Sequence, residues 1–231
     1  MQAPYLMQSC EVQARYAPWA ELDARSALAE LSLCEEQQLE QSRHPQRRRE
    51  WLAGRTLAKQ LVAGTCGADL APQEIEILHS EESRRPRVWI RGRAEPRSLS
   101  IAHSSRGVLV ALGSRAEILV GADLAEQTPL SASFKRLWFT ADERQWLCER
   151  SESFAANRLW AAKEALYKAC NQGEGFDPRK ISAVPGSYRY RGRPVSCPME
   201  VFEIDHQFAV IATLMKTNTR SSRQLLQEIH S

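Results

Sequence analysis

The residues of this sequence best suited to chemistry are Asp123, Glu164 and Lys168. Asp123 follows the apolar run Ile118–Val120 and Gly121, so its carboxylate falls at the tip of a buried strand. There it suits either a hard cation or an Asx turn. Trp160, Glu164 and Lys168 are spaced i, i+4, i+8 in a helical pattern and share one face. That face is not the apolar stripe of Ala155, Leu159, Ala162, Leu166 and Ala169. A Glu–Lys pair at this spacing is either a solvated surface pair, worth about 0.2–0.5 kcal/mol, or part of a site. His103 and Ser104 follow the strand pattern Ser98–Ala102, and a lone histidine there is either a packed, hydrogen-bonded residue or a ligand-binding one.

Several elements must position these groups. A strand is expected at Ser9–Tyr16, helices at Glu21–Leu33 and Pro45–Val62, and strands at Glu74–Leu78, Arg87–Arg91, Ser98–His103 and Val108–Leu112. The order then restarts with a strand at Glu117–Asp123, helices at Ala141–Arg150 and Ser153–Ala169, and four strands between Lys180 and Leu214. The run Arg49, Trp51, Ala53, Leu57, Lys59 matches Arg158, Trp160, Ala162, Leu166, Lys168 without a gap, at an offset of 160 − 51 = 109. The same offset carries 9–16 onto 118–125 and 98–103 onto 207–212. The expected fold is α+β, built of two similar halves related by a pseudo-twofold axis, residues 1–115 and 116–231, with a ligand cleft at their interface. At this offset Arg55 lies opposite Glu164, as if one half supplied cations to an anionic ligand and the other a carboxylate to a metal; divergence of two surfaces would give the same pattern.

Composition narrows the classes. With 43% hydrophobic and 26% charged residues, a chain of 231 residues can build a packed core. The net charge of +3 is too small for bulk nucleic-acid binding, so an arginine-rich nucleic-acid binder is disfavoured. Of the 31 basic residues only six are lysine, and arginines cluster at 43–49 and 84–97, where they suit bidentate contact with phosphate or carboxylate, or simply a solvated surface. No apolar stretch is long enough to span a bilayer, and the first residues lack a signal pattern. Six scattered cysteines without a C-x-x-C pair read as buried free thiols. A soluble cytoplasmic protein is expected.

In combination, G-A-D-L (Gly121–Leu124) followed by W-A-A-K-E-A-L-Y-K (Trp160–Lys168) resembles the signature of the surfactin-type (Sfp-type) 4'-phosphopantetheinyl transferases. That pattern is G-[IV]-D-[ILV]-E and then [FW]-x-x-K-E-[SA]-x-x-K. Ala102-His103-Ser104 resembles the family's S-H-S, Ala53-Gly54-Arg55 sits where the family has an arginine, and Arg85-Pro86 resembles its G-K-P element. The resemblance spans about residues 40–215. It implies a Mg²⁺-dependent enzyme, expected to be a monomer, that moves the phosphopantetheine arm of coenzyme A onto a serine of an acyl, peptidyl or aryl carrier protein and releases adenosine 3',5'-bisphosphate.

Under that resemblance Asp123 and Glu164 are the metal ligands, and Lys168 reaches the same pyrophosphate. Lys163 either approaches it or positions the helix. Glu164, or a water beside it, is the base for the carrier serine. His103 and Arg55 contact the 3'-phosphate and its neighbours, Arg85 and Pro86 lie near the adenine, and one of Arg47–Arg49 adds a phosphate contact. Carrier recognition is expected along Thr128–Arg150. Two departures stand out. The family's second carboxylate is replaced by Ala125, with Glu126 next to it but on the opposite face of a regular strand, and Ala102 replaces the first serine of S-H-S. These changes favour weaker metal binding and motivate an alternative, a degenerate relative that binds coenzyme A or a carrier protein without transfer.

Overall fold

The computed structural model describes residues 5–66, 69–79, 85–171 and 173–216. It begins with β1 (Tyr5–Gln8) and β2 (Val12–Pro18), followed by α1 (Ala24–Ala29), α2 (Leu33–Glu40) and α3 (Pro45–Cys66). A short 3-10 turn leads into β3 (Ile75–His79), β4 (Pro86–Ile90), β5 (Arg93–Glu95), β6 (Leu99–His103) and β7 (Gly107–Gly113). Next come β8 (Ile118–Glu126), α4 (Ala132–Trp138), α5 (Ala141–Cys148) and α6 (Ala155–Cys170). A second 3-10 turn precedes β9 (Ile181–Val184), β10 (Ser187–Tyr190), β11 (Arg193–Pro194), β12 (Met199–Ile204) and β13 (Gln207–Met215). Among the described residues the fold is α+β, with four antiparallel sheets ordered β1-β2-β7-β6, β3-β4-β5, β12-β13-β8 and β11-β10-β9. No described helix is long and apolar enough to cross a membrane.

The edge strands β6 and β8 meet without a backbone ladder. Instead the hydroxyl of Ser98 accepts a hydrogen bond from Val120 N at 3.1 Å, and that of Ser100 accepts one from Ala122 N at 2.9 Å. One apolar cluster, including Tyr16, Leu109, Ile118, Val120, Ala209 and Ile211, packs the β2–β7 and β8–β13 pairs together. Helix α6 lies on β8 through its alanines, and Gly121 permits the approach. A Cβ at Gly121 would collide with Ala165 O and stand 2.5 Å from Ala169 N, both backbone atoms of α6.

Several expectations need correction. The helix foreseen at Glu21–Leu33 is the shorter α1, capped by Asp23, and α2 is a further helix that starts at Leu33, where the foreseen one was to end, because Ser32 caps it. Ser32 and Glu35 form a reciprocal capping box, which stabilises a fresh helix start at the end of the expected run. Thr140 and Glu143 form the same device at α5, and α4 starts at a Ser131 cap that the apolar pattern did not signal. The cysteines are all free, but only Cys170 and Cys197 are buried, while Cys10, Cys34 and Cys148 are exposed. The short helix expected at 223–229, and Arg84, lie outside the described residues.

The uniform offset of 109 also fails. Lys59 Nζ meets Glu35 at 2.5 Å and donates to Glu30 O, while Glu35 accepts from Ile77 N at 2.8 Å. Lys163 Nζ meets Glu143 at 2.5 Å and donates to Trp138 O, while Glu143 accepts from Ala183 N at 2.9 Å. These matching networks set Lys59 opposite Lys163, an offset of 163 − 59 = 104, and not opposite Lys168. The opposition of Arg55 and Glu164 dissolves with it.

Candidate active site

Gly121 lets β8 press against α6, and that contact brings Asp123 to Lys168. Lys168 Nζ donates to Asp123 Oδ1 at 2.7 Å and to the Ala122 carbonyl at 2.9 Å. Ala122 N is in turn held by Ser100 from the neighbouring sheet, so a strand of each sheet contributes to the placement of one ion pair. Burial pushes the Asp123 carboxyl up to about 7, with Glu164 adding to the rise and Lys168 opposing it. Burial alone would lower Lys168, but the Asp123 and Glu164 carboxylates outweigh it and hold the ammonium above its usual value. Lys168 thus stands as a protein-borne cation beside two mutually repelling carboxylates.

Two cavities adjoin this cluster, and His103 lines both. The larger, about 480 Å³, is walled by Arg47, Arg55, His79, Arg85 and Lys168, with Glu50 as the single acid among its described lining residues. Trp51, Pro86 and Ser100 also border it. The smaller, about 300 Å³, holds Asp123 and Glu164 together with Glu126, Leu130, Asn157 and Trp160.

Arg55 is the most unusual of the basic residues. It is 3% exposed, yet its Nε and Nη2 have no hydrogen-bond partner among the described residues. Its guanidinium rests 3.9 Å from the centroid of the Trp51 ring, and burial pushes it down to about 10. An unpartnered buried fork is costly unless an anion completes it. Gly54 beside it gives room for the ring of His103: a Cβ there would sit 3.1 Å from Nε2. His103 stacks parallel to Trp19 at 6.3 Å, and its Nε2 also lacks a partner among the described residues. Burial first, then Lys168, pushes His103 down to about 4. Arg85 donates to Ala169 O at 2.7 Å from the cleft wall, and Pro86 opens β4 on the same wall.

The expected residues therefore separate into groups. Asp123, Glu164 and Lys168 come together, and Arg55, Arg85, Pro86 and His103 line the adjoining basic cleft. Of the three arginines at 47–49 only Arg47 lines it; Arg48 bonds Leu39 O and Ser42 O, and Arg49 lies over Trp19. Lys163 does not line either cavity. It is fully buried and paired with Glu143, an arrangement in keeping with the alternative that it positions the helix. Glu126 does border the smaller cavity, but its Oε1 accepts from Ser105 N at 3.2 Å, tying it to the β6–β7 turn. No group of three or more metal-ligating side chains forms among the described residues. Mg²⁺ tolerates such a sparse set because it keeps waters and takes phosphate oxygens as ligands, so two carboxylates suffice. The sequence reading missed Ser100, Trp51 and Asn157; Ser98 and Ser100, alternating in an apolar strand, were the available signal for the first.

Residues 119–207 match the family model of the 4'-phosphopantetheinyl transferase superfamily. The matched stretch carries Asp123, Lys163, Glu164 and Lys168, and it implies phosphopantetheine transfer in general. Arg55, Arg85, Pro86 and His103 lie before it. A search of curated proteins gives no match.

Proposed function

We propose that the protein transfers the 4'-phosphopantetheine arm of coenzyme A to a serine of an acyl, peptidyl or aryl carrier protein, in a Mg²⁺-dependent surfactin-type reaction. The observation that carries this reading is the junction of two carboxylates and a lysine with a cleft whose buried Arg55 leaves Nε and Nη2 without a hydrogen-bond partner among the described residues. Arg55 and Arg47 would neutralise the donor's phosphates, and Arg85 with Pro86 would border its base. Lys168 would hold the leaving phosphate through its ammonium while remaining within reach of Asp123. Glu164 would accept the serine proton, directly or through one water. Asp123 and Glu164 would hold Mg²⁺, which when bound neutralises pyrophosphate charge. Trp160 and Leu130, in the smaller cavity beside Glu164, would exclude water from the approaching serine. The carrier would dock along Thr128–Arg150, which bears α4 and α5.

We further infer that residues 1–115 and 116–231 are two related halves. The recurring order of elements and the twin Lys–Glu networks support this. A cytoplasmic monomer is the setting we propose. Incubation with coenzyme A, Mg²⁺ and several apo-carrier proteins should add one phosphopantetheine arm by intact-mass spectrometry. No mass gain on any carrier, with coenzyme A still bound, would favour the non-catalytic binder, a reading supported by Ala125 and the tethered Glu126.

A further inference from the structure

The two buried Lys–Glu pairs demand a purpose beyond stability, since well-packed apolar residues commonly serve a core as well as a buried ion pair. Lys59 and Glu35 are 2% and 0% exposed, and Lys163 and Glu143 are both 0% exposed. Each glutamate is the third residue of a capped helix, and one oxygen accepts from the backbone at the start of that helix, Ser32 N or Thr140 N. The other oxygen accepts from a strand, Ile77 N or Ala183 N. The lysine then binds that glutamate and the carbonyl at the end of the preceding helix, Glu30 O or Trp138 O. Each long helix is thereby fixed along its axis against three other elements. The lysines sit close to the residues that matter: Lys163 is next to Glu164, and Lys59 is one turn after Arg55.

We propose that Lys163–Glu143 and Lys59–Glu35 are positioning pairs, one setting the height of α6 for the carboxylate–lysine cluster and the other setting the height of α3 for the anion cleft. This rests on the transferase reading for the roles of the two sites, but not for the geometry. The separation of effects is what a merely structural pair would lack. Breaking one pin should disturb its own site far more than the other.

The test uses two neutral double variants, Lys163→Met with Glu143→Gln and Lys59→Met with Glu35→Gln. The glutamine oxygen still accepts from the strand, while the tie to the long helix is removed together with the capping bond from Ser32 N or Thr140 N. The probes are Mn²⁺, followed by electron paramagnetic resonance, and adenosine 3',5'-bisphosphate, followed by calorimetry. The α6 variant should bind Mn²⁺ about 10- to 100-fold more weakly, with a clearly smaller loss for the bisphosphate, of which α6 holds only one phosphate through Lys168. The α3 variant should show the reverse, a bisphosphate loss of roughly 10-fold or more with Mn²⁺ binding intact. Equal loss of both affinities in both variants, or no loss in either, overturns the proposal. Should a double variant not fold, Lys163→Arg and Lys59→Arg keep the charge but move its head group, and smaller losses with the same separation are expected. Neither readout needs turnover, so an inactive wild-type protein would sink the transferase reading alone. A crystal structure of the α6 variant with that helix unmoved against β8 would overturn the positioning role alone.

Discussion

Replacing Arg55 with methionine should make the free protein more stable and its anion cleft weaker. A guanidinium held at about 10 is penalised in its charged form by about 3 kcal/mol, burial being the cause. Methionine removes that penalty and fills much of the same volume. It also forfeits the contact with Trp51, worth about 0.5–2 kcal/mol, which leaves a net gain of about 1–2.5 kcal/mol. A phosphate bound by the Arg55 fork would lose about 1.5–3 kcal/mol, or roughly 10- to 150-fold in affinity. Urea denaturation measures the first effect, and calorimetry with adenosine 3',5'-bisphosphate the second. A gain in stability with a loss in affinity marks a residue kept for its ligand. Lower stability with unchanged affinity would refute the reasoning and make Arg55 a structural cation.

Gly121→Ala should push β8 from α6, costing about 1–3 kcal/mol of stability and most of the transferase activity, as thermal melts and the carrier mass assay would report. Ser100→Ala removes the acceptor for the buried Ala122 N, and a loss of about 1–3 kcal/mol is expected in denaturant unfolding, with Ser100→Thr recovering part of it. His103 has a folded pKa of about 4, below its ordinary 6.5, so the unfolded chain binds more protons between these values. Its contribution is therefore present above about pH 6.5 and lost as pH falls toward 4, by up to about 3 kcal/mol. The difference between wild type and His103→Gln, measured at pH 7 and pH 4.5, isolates it from the carboxylates; equal differences at both pH values would contradict it.

Much of the site was legible because its residues lie at ends of strongly patterned elements. The apolar run before Asp123 and the alanine-rich stripe of α6 placed the carboxylate and the Glu164–Lys168 turn in recognisable frames. Gly121 was readable as a motif letter, but its physical role, admitting the backbone of α6, emerges only in three dimensions. Lys163 could not be assigned from spacing, since neighbours on a helix differ by about 100° and either could have faced the cleft. The partner that decides it, Glu143, is 20 residues away and was visible only as the fourth letter of a capping box. The repeat was legible in its order but not its register. Matched letters in α3 and α6 favoured one offset, whereas the buried ion pairs, fixed by contacts to distant strands, impose another.

The most direct test of the account is a crystal of the protein with coenzyme A and Mn²⁺, read by anomalous scattering. One peak bonded to carboxylate oxygens of both Asp123 and Glu164 and to the pyrophosphate is the predicted result. A peak elsewhere, or bound nucleotide with Lys168 still closed on Asp123 and no cation between the carboxylates, would contradict it.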